Sequence, residues 1–153
     1  MTSRRSVVKR PSISASDNVI LMSFEFEPKG FDLHYGLEFD QITAEVVLGH
    51  VELRPEILQP YGLVHGGVFA SISESLASVG TAVGVFPAGN IAVGQSNYTS
   101  FLRPITEGTI HGKATRLSAG RTTWLWDVEI TDDQGRLCAA TRMTIAVRPR
   151  QAR

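Results

Sequence analysis

The segment 66–86 constrains the fold of this chain most, because it is long, apolar and almost free of charge. It contains no Pro, Lys or Arg, and Glu74 is its single charged residue. It follows His65 and stops at Pro87-Ala88-Gly89-Asn90, a sequence that ends helices. We predict one helix of about twenty residues here. Such a helix has no face suited to water, so other elements must enclose it.

Three arcs run along this predicted helix at 100° per residue. The large apolar side chains share one arc: Val68, Phe69, Ile72, Leu76, Val79 and Val83. A neighbouring arc holds only small residues, which allow another backbone to come close: Ala70, Ser73, Ala77, Gly80 and Gly84. The third arc brings Glu74 together with Ser71 and Ser78, three and four residues away. We expect a sheet to wrap the helix, and a second subunit to cover what one sheet cannot reach.

Strand-like segments lie on both sides of the helix. Before it, residues 39–53 alternate as half-buried strands do, with Gly49 as a possible bend. After it come four strand-like runs, at 91–102, 109–118, 122–131 and 137–147. Their turn chemistry and spacing suit an antiparallel meander. Because strands and helices do not alternate along the chain, the predicted class is α+β and not a doubly wound parallel sheet.

Composition excludes several classes of function. The 153 residues allow one domain with a sizeable core. Fifteen basic residues balance fifteen acidic ones, so no overall positive field attracts nucleic acid or an anionic membrane, and local charges must hold any anionic ligand. Cys138 is the single cysteine, which excludes an internal disulfide, argues against a zinc site and favours a reducing compartment.

The N-terminal residues predict a flexible tail. Residues 1–18 are basic and rich in serine, with almost no large apolar side chain. No apolar run of about 7–15 residues follows them, as a secretory signal requires, and the long apolar stretch carries Glu74 and several glycines, unlike a lipid-facing span. We therefore expect residues 1–30 to be tail and lead-in, residues 31–150 to be one domain, and the protein to be cytoplasmic.

Glu74 calls for a chemical explanation. A buried carboxylate costs several kcal/mol unless it is hydrogen-bonded. It could cap a backbone group or pair with an arginine across an interface. It could also be functional, because His65-Gly66-Gly67 supplies backbone N–H groups and the positive end of the helix dipole, which can hold a developing oxyanion. His65 has two roles open to it, and capping the helix is favoured over acting as a catalytic base.

These residues resemble a known family. Residues 61–67 (YGLVHGG), with Glu74 seven residues on, resemble the signature of hotdog-fold acyl-CoA thioesterases. Further segments are similar to the glutamate-type 4-hydroxybenzoyl-CoA thioesterases: AVGQSN, TSF, RP, AG, TTW, WDV, GRLCA and IAVRPR. The resemblance covers residues 31–150. It implies a long helix wrapped by an antiparallel sheet, two subunits that join their sheets, active sites at the dimer interface, and dimers that pair into a homotetramer.

The resemblance implies specific roles for residues of this chain. Glu74 would be the nucleophile or general base at the thioester carbonyl, reaching in from the partner subunit. The Gly66 amide would polarise that carbonyl, with the Gln59 side chain assisting. Ser78 stands where the family has a threonine that orients the carboxylate or water. His65 belongs to the same motif and is kept among the candidate catalytic residues.

The resemblance also implies a binding site for the coenzyme A part of the thioester substrate. It implies no metal and no other cofactor. Arg103, Thr122 and Arg150 match positions that hold the nucleotide phosphates, which suits arginine forks and hydroxyls. Arg121 stands where a close relative has a serine that contacts phosphate. Arg148 or Arg153 could substitute for Arg150.

Departures near the helix leave the acyl group open. Ser75 replaces a bulkier methionine, and Val79 stands where the relative is acidic. One methylene in an apolar pocket changes discrimination by about 1–3 kcal/mol. The favoured hypothesis is a hydrolase of aromatic acyl-CoA thioesters. The alternative is a non-catalytic module that senses acyl-CoA, against which the carboxylate and the lack of a DNA-binding extension both count. A hotdog dehydratase would need a second histidine motif, and none stands out.

Overall fold

The computed structural model describes residues 30–150, so the predicted tail over residues 1–18 lies outside the described residues. Two helices and six strands follow in this order: α1 (Phe31–Tyr35), β1 (Leu37–Ile42), β2 (Val46–Glu52), α2 (Gly66–Val85), β3 (Asn90–Phe101), β4 (Thr109–Ala119), β5 (Thr123–Thr131) and β6 (Leu137–Pro149). Short 3-10 turns precede and follow α2, at Pro55–Ile57 and Phe86–Ala88. This order confirms the α+β class.

One six-stranded sheet has the order β1-β2-β4-β5-β6-β3, and every neighbouring pair is antiparallel. Strands β4, β5 and β6 form the predicted meander. The prediction is wrong for β3, which pairs with β6 at the edge of the sheet and not with β4. Strand β4 has no free edge for β3, because it pairs with β2 on one side and with β5 on the other. The segment after β3 packs elsewhere, with Ile105 buried and its carbonyl accepting the Val64 N–H.

Helix α2 has the predicted length and end. It stops at Val85, and Gly89 then takes a left-handed conformation with φ 74°. Four of the six residues on its large apolar arc are buried, while Val68 and Val83 are half-buried. Gly80 lies against Trp126 of β5, and a β-carbon there would come within 2.5 Å of the indole ring. The small arc therefore brings the helix close to the sheet, as predicted.

Gly49 does not separate two strands. It lies inside β2, paired with Phe39 and Gly112, and the turn between β1 and β2 is at Thr43. A β-carbon on Gly49 would come within 2.7 Å of the Glu38 carbonyl oxygen. The glycine thus gives room for close packing of backbones, and the predicted bend is wrong.

The core lies between α2 and the inner face of the sheet. Trp126 is fully buried, and its indole N–H donates to the Thr81 hydroxyl at 2.8 Å. Cys138 is buried as a small hydrophobe, and burial raises the pKa of its thiol. The segment Gly66–Ala88 has the length and hydropathy of a membrane span, but 56% of its most apolar window is buried in this domain. It is therefore the core helix of the fold.

Candidate active site

Glu74 lies on an arc of α2 that stays partly open to solvent in the single chain. Its side chain is exposed in the single chain, with the half-buried Ser71 and Ser78 on the same arc. The prediction that this carboxylate is buried is therefore wrong for the isolated subunit. An exposed carboxylate does not carry the free-energy cost of a buried charge. The physical reason is that the sheet packs against the arcs with large and small apolar residues and meets the Glu74 arc only at its edge strand, β3.

The Glu74 carboxylate packs against β3 at Gly94, next to a β-bulge in that strand. A β-carbon on Gly94 would come within 2.7 Å of the carboxylate Oε1, so only a glycine leaves room for the observed position. Directly after Gly94 the register with β6 shifts, because Gly94 pairs with Ile145 and Ser96 with Thr144. Gln95 is thus the extra residue of a β-bulge, a feature that often re-aims side chains beside active sites.

The start of α2 forms a second group of candidate residues. The His65 Nδ1 atom accepts a hydrogen bond from the Gly67 N–H at 2.9 Å, so His65 caps the helix as favoured. Gly66 is the first helical residue, so its N–H has no carbonyl within the helix to bond. A β-carbon on Gly66 would come within 3.0 Å of the Phe101 ring. The His65-Gly66-Gly67 motif thus provides a helix cap, a backbone N–H at Gly66 that has no acceptor within the helix, and a tight contact with β3.

Gln59 lies in the tight loop that leads into α2. Its backbone N–H donates to the Leu63 carbonyl, and its carbonyl accepts the Gly62 N–H, both at 2.9 Å. Gly62 has φ 76°, a conformation that glycine adopts without strain. Leu58 and Val64 close the loop as an antiparallel bridge. The fold therefore brings Gln59 toward the helix entrance occupied by His65 and Gly66.

The helix entrance and the carboxylate are separate within one chain. Gly66 and Glu74 are eight residues apart on a continuous helix, which is about 12 Å along its axis. One thioester carbonyl is too small to meet the Gly66 amide and the Glu74 carboxylate of the same subunit. Within one chain, His65 and Gly66 therefore lie at the start of the helix after the Gln59 loop, and Glu74 and Ser78 lie in the middle of the helix.

The predicted phosphate-binding residues are also divided. Arg103 follows the end of β3 at Phe101, whereas Arg150 follows Pro149, which pairs with Asn90 at the start of β3. Eleven residue steps of strand separate these two ends, which is about 36 Å. A single chain therefore does not bring Arg103 to Arg150.

Thr122 and Arg150 lie at the end of the sheet near the C-terminus of α2. The Arg148 guanidinium donates to the Thr122 carbonyl at 3.2 Å, and the Arg150 guanidinium stacks on the Phe86 ring at 5.2 Å. Arg121 is exposed next to Thr122. These cations gather at one corner of the domain, while Arg153 lies outside the described residues.

Two polar clusters near Glu74 were not predicted. In the first, the Asp32 Oδ1 atom accepts hydrogen bonds from Tyr35 at 2.5 Å and from Ser75 at 2.7 Å, which ties α1 to α2. Burial and the Asp32 acceptor raise the pKa of Tyr35 well above its usual range. The only local sign of α1 is the pair of glycines that flank it, Gly30 and Gly36, both with positive φ.

The second cluster joins β3 and β6 to α2. It comprises four side chains in continuous hydrogen-bond contact: Ser73, Thr141, Thr99 and Asn97. The sequence contains a sign of it, because Asn97 and Thr99 are two residues apart on a strand and so share one face. The partner residues come from other elements, which no local pattern reveals.

The fold and these groups define a class of protein. Residues 61–139 match the thioesterase superfamily, a segment that runs from the loop before α2 to the start of β6. The chain belongs to this superfamily. The match includes both the helix entrance and Glu74, and the six-stranded sheet with one long helix is the hotdog fold that its structural relatives share.

Named relatives give the comparison more detail. The provisionally named esterase Rv1847 of Mycobacterium tuberculosis is 38% identical over 111 residues, which cover 71% of this chain and 79% of that protein. The proofreading thioesterase EntH of Cronobacter turicensis is 30% identical over 114 residues, covering 74% and 82%. These names and the superfamily support a hydrolase.

Solved structures agree with this assignment. The structure of Rv1847 has a TM-score of 0.75 and 36% identity, covering 80% of this chain and 98% of that one. A mutant of the thioesterase PA1618 from Pseudomonas aeruginosa has a TM-score of 0.74 and 28% identity, covering 77% and 85%.

Proposed function

We propose that this protein is a cytoplasmic acyl-CoA thioesterase that hydrolyses aromatic acyl-CoA, of the 4-hydroxybenzoyl type, to the free acid and coenzyme A. The observation that carries the proposal is Glu74, an exposed carboxylate on an otherwise uncharged helix, eight residues after a glycine start with an uncommitted amide. Glu74 acts as nucleophile or general base, the Gly66 amide polarises the carbonyl, and Gln59 and Ser78 assist. The chemistry uses no metal or redox cofactor.

The active site is composite in this proposal. The separation of about 12 Å between Gly66 and Glu74 means that one thioester meets the Gly66 amide of one subunit and the Glu74 carboxylate of the other. Strand β3 is a twelve-residue edge strand with exposed apolar side chains, including Ile91, Val93 and Tyr98. An open edge of this kind pairs readily with a second copy. Two such sheets join in a dimer, and dimers pair into a homotetramer.

The division of the phosphate-binding residues supports the same assembly. Arg103 and Arg150 lie at opposite ends of the β3–β6 pair. In a dimer that joins its sheets through antiparallel β3 strands, the Arg103 end of one subunit faces the Arg150 end of the other. The coenzyme A phosphates are then held by Arg103 together with Arg121, Thr122 and Arg150 from two subunits.

The experiment that tests the proposal is release of free thiol from a panel of acyl-CoAs. The panel contains 4-hydroxybenzoyl, benzoyl, phenylacetyl and straight-chain esters, and is run on the wild type and on Glu74→Ala. We expect turnover of the aromatic esters that is lost in Glu74→Ala. Tight binding without turnover by both proteins would instead indicate an acyl-CoA sensor, and faster turnover of straight-chain esters would overturn the aromatic preference.

Arg103→Ala should raise KM for acyl-CoA about tenfold and leave kcat nearly unchanged, because a phosphate contact binds substrate and transition state alike. Steady-state kinetics with one aromatic ester measures both constants. Arg142→Ala is the matched control, since Arg142 lies on β6 and pairs with Asp127 at 3.3 Å. An equal KM for Arg103→Ala and the wild type would remove Arg103 from the phosphate site.

A further inference from the structure

We propose that Asn97 and Thr99 are positioning residues, which fix the helical turn that carries Glu74 against strand β3. This inference rests on the proposed function for its kinetic test. Both residues lie on the side of β3 that faces α2, between Gly94 and Phe101. Neither is assigned to the thioester or to coenzyme A in the mechanism above.

The connection is a continuous chain of hydrogen bonds. The Asn97 Nδ2 atom donates to the Ala70 carbonyl at 2.9 Å, and the Thr99 hydroxyl donates to the Asn97 Oδ1 atom at 2.7 Å. Thr141 contacts Thr99 at 2.8 Å, and Ser73 contacts Thr141 at 2.9 Å. Ser73 and Thr141 are almost fully buried. The chain therefore begins at Ala70 and ends at Ser73, about one turn further along α2.

Proton counting fixes the direction of this chain. Each hydroxyl has one proton, so when Thr99 donates to Asn97, Thr141 donates to Thr99. Ser73 then shares its proton between Thr141 and the Phe69 carbonyl, which lies 2.9 Å from its hydroxyl. The Ala70 carbonyl can only accept a hydrogen bond, so the Asn97 Nδ2 group faces the helix and the Oδ1 atom accepts from the Thr99 hydroxyl. The Ala70 carbonyl therefore sets which way the amide of Asn97 points, and Thr99 holds the Oδ1 end of that amide in place.

The acceptor on the helix links this chain to Glu74. In an α-helix the N–H of a residue bonds the carbonyl four residues back, so the Ala70 carbonyl is the helical acceptor of the Glu74 N–H. Asn97 supplies a second donor to the same oxygen. The Asn97 side chain and the backbone N–H of Glu74 thus share one acceptor, the Ala70 carbonyl oxygen.

Strand β3 also contacts both parts of the proposed active site, the Glu74 carboxylate and the start of α2 at Gly66. Gly94 lies under the Glu74 carboxylate, and the Phe101 ring lies on Gly66. The bond from Asn97 to Ala70 lies between these two contacts and prevents the strand from sliding along the helix. Because the proposed site joins two subunits along β3, a small shift of this strand would move Glu74 relative to the partner's amide.

Asn97→Asp is the sharpest test, because the side chain keeps its shape but loses the Nδ2 donor and turns a carboxylate toward the Ala70 carbonyl. Asn90→Asp makes the same substitution on the same strand, outside the cluster. We expect Asn97→Asp to lower kcat about tenfold with little change in KM, since misplacement of a reacting group by about 1 Å costs up to 10²-fold. Thr99→Val should lower kcat less, and Thr99→Ser should restore it.

A second measurement does not depend on catalysis. Hydrogen exchange of the backbone amides in residues 70–76, measured on the same variants, should be faster in Asn97→Asp and Thr99→Val than in Asn90→Asp. Unchanged exchange in Asn97→Asp would overturn the inference even if no ester is hydrolysed by the wild type. So would an equal loss of kcat in Asn90→Asp, or a loss that follows a change in assembly size by sedimentation.

Discussion

Replacing Glu74 with glutamine should lower kcat for hydrolysis of the preferred aromatic acyl-CoA by about 10³-fold and leave KM within about twofold of the wild type. Glutamine keeps the size of the side chain and fits over Gly94, but its amide cannot act as a base or as a carboxylate nucleophile. Thiol release under saturating substrate measures kcat directly.

The matched control for this prediction is Glu129→Gln. Glu129 is exposed on β5, where it pairs with Lys113 and Ala140, away from α2. We expect wild-type kinetics from this variant. If Glu74→Gln retained more than about a tenth of wild-type turnover, the loss would fall below the range of acid–base catalysis, and Glu74 would be a structural residue of the interface.

The route of attack can then be separated in labelled water. In a single turnover, direct attack by Glu74 forms an anhydride, and water that attacks the glutamyl carbon of this anhydride places a solvent oxygen in the Glu74 carboxylate. General-base catalysis places the solvent oxygen only in the product acid. With enzyme in excess over substrate, a solvent oxygen found by mass spectrometry in the peptide that contains Glu74 establishes direct attack.

The second large effect concerns stability. Trp126→Ala should lower the free energy of unfolding by about 3–5 kcal/mol, because it removes a fully buried indole that fills the space between Gly80 and the sheet. Unfolding in urea, followed by circular dichroism, measures this loss. Tyr61→Ala is the control, since the Tyr61 side chain is 86% exposed, and we expect a change within about 0.5 kcal/mol.

A paired substitution shows whether the cause is packing. Gly80→Ala alone places a β-carbon within 2.5 Å of the indole ring, and such overpacking costs about 1–3 kcal/mol. In a chain that already carries Trp126→Ala the same change meets no ring and keeps only the contact with the Val47 side chain at 2.8 Å. The double variant should therefore lose less stability than the sum of the two single losses. Additive losses would show that Gly80 and Trp126 do not act through their contact. Trp126→Phe offers a milder variant if Trp126→Ala does not fold.

The sequence by itself determined the core helix and the class. Glycine at its start and the Pro87-Ala88-Gly89 stop act locally, so α2 has the predicted ends. The apolar and small arcs also follow from helical geometry alone. The α+β class follows from the order of these elements, whatever their neighbours in space.

Only the tertiary structure decided where these elements meet. Strand β3 pairs with β6 and not with β4, its predicted neighbour. Strand pairing depends on partners distant in the chain, and the pattern within one strand does not identify them. The same contacts decided that Glu74 lies over Gly94, that Gly49 is a packing residue and that Asn97 bonds Ala70. Periodicity fixes which residues share a face of an element, whereas what covers that face depends on long-range packing.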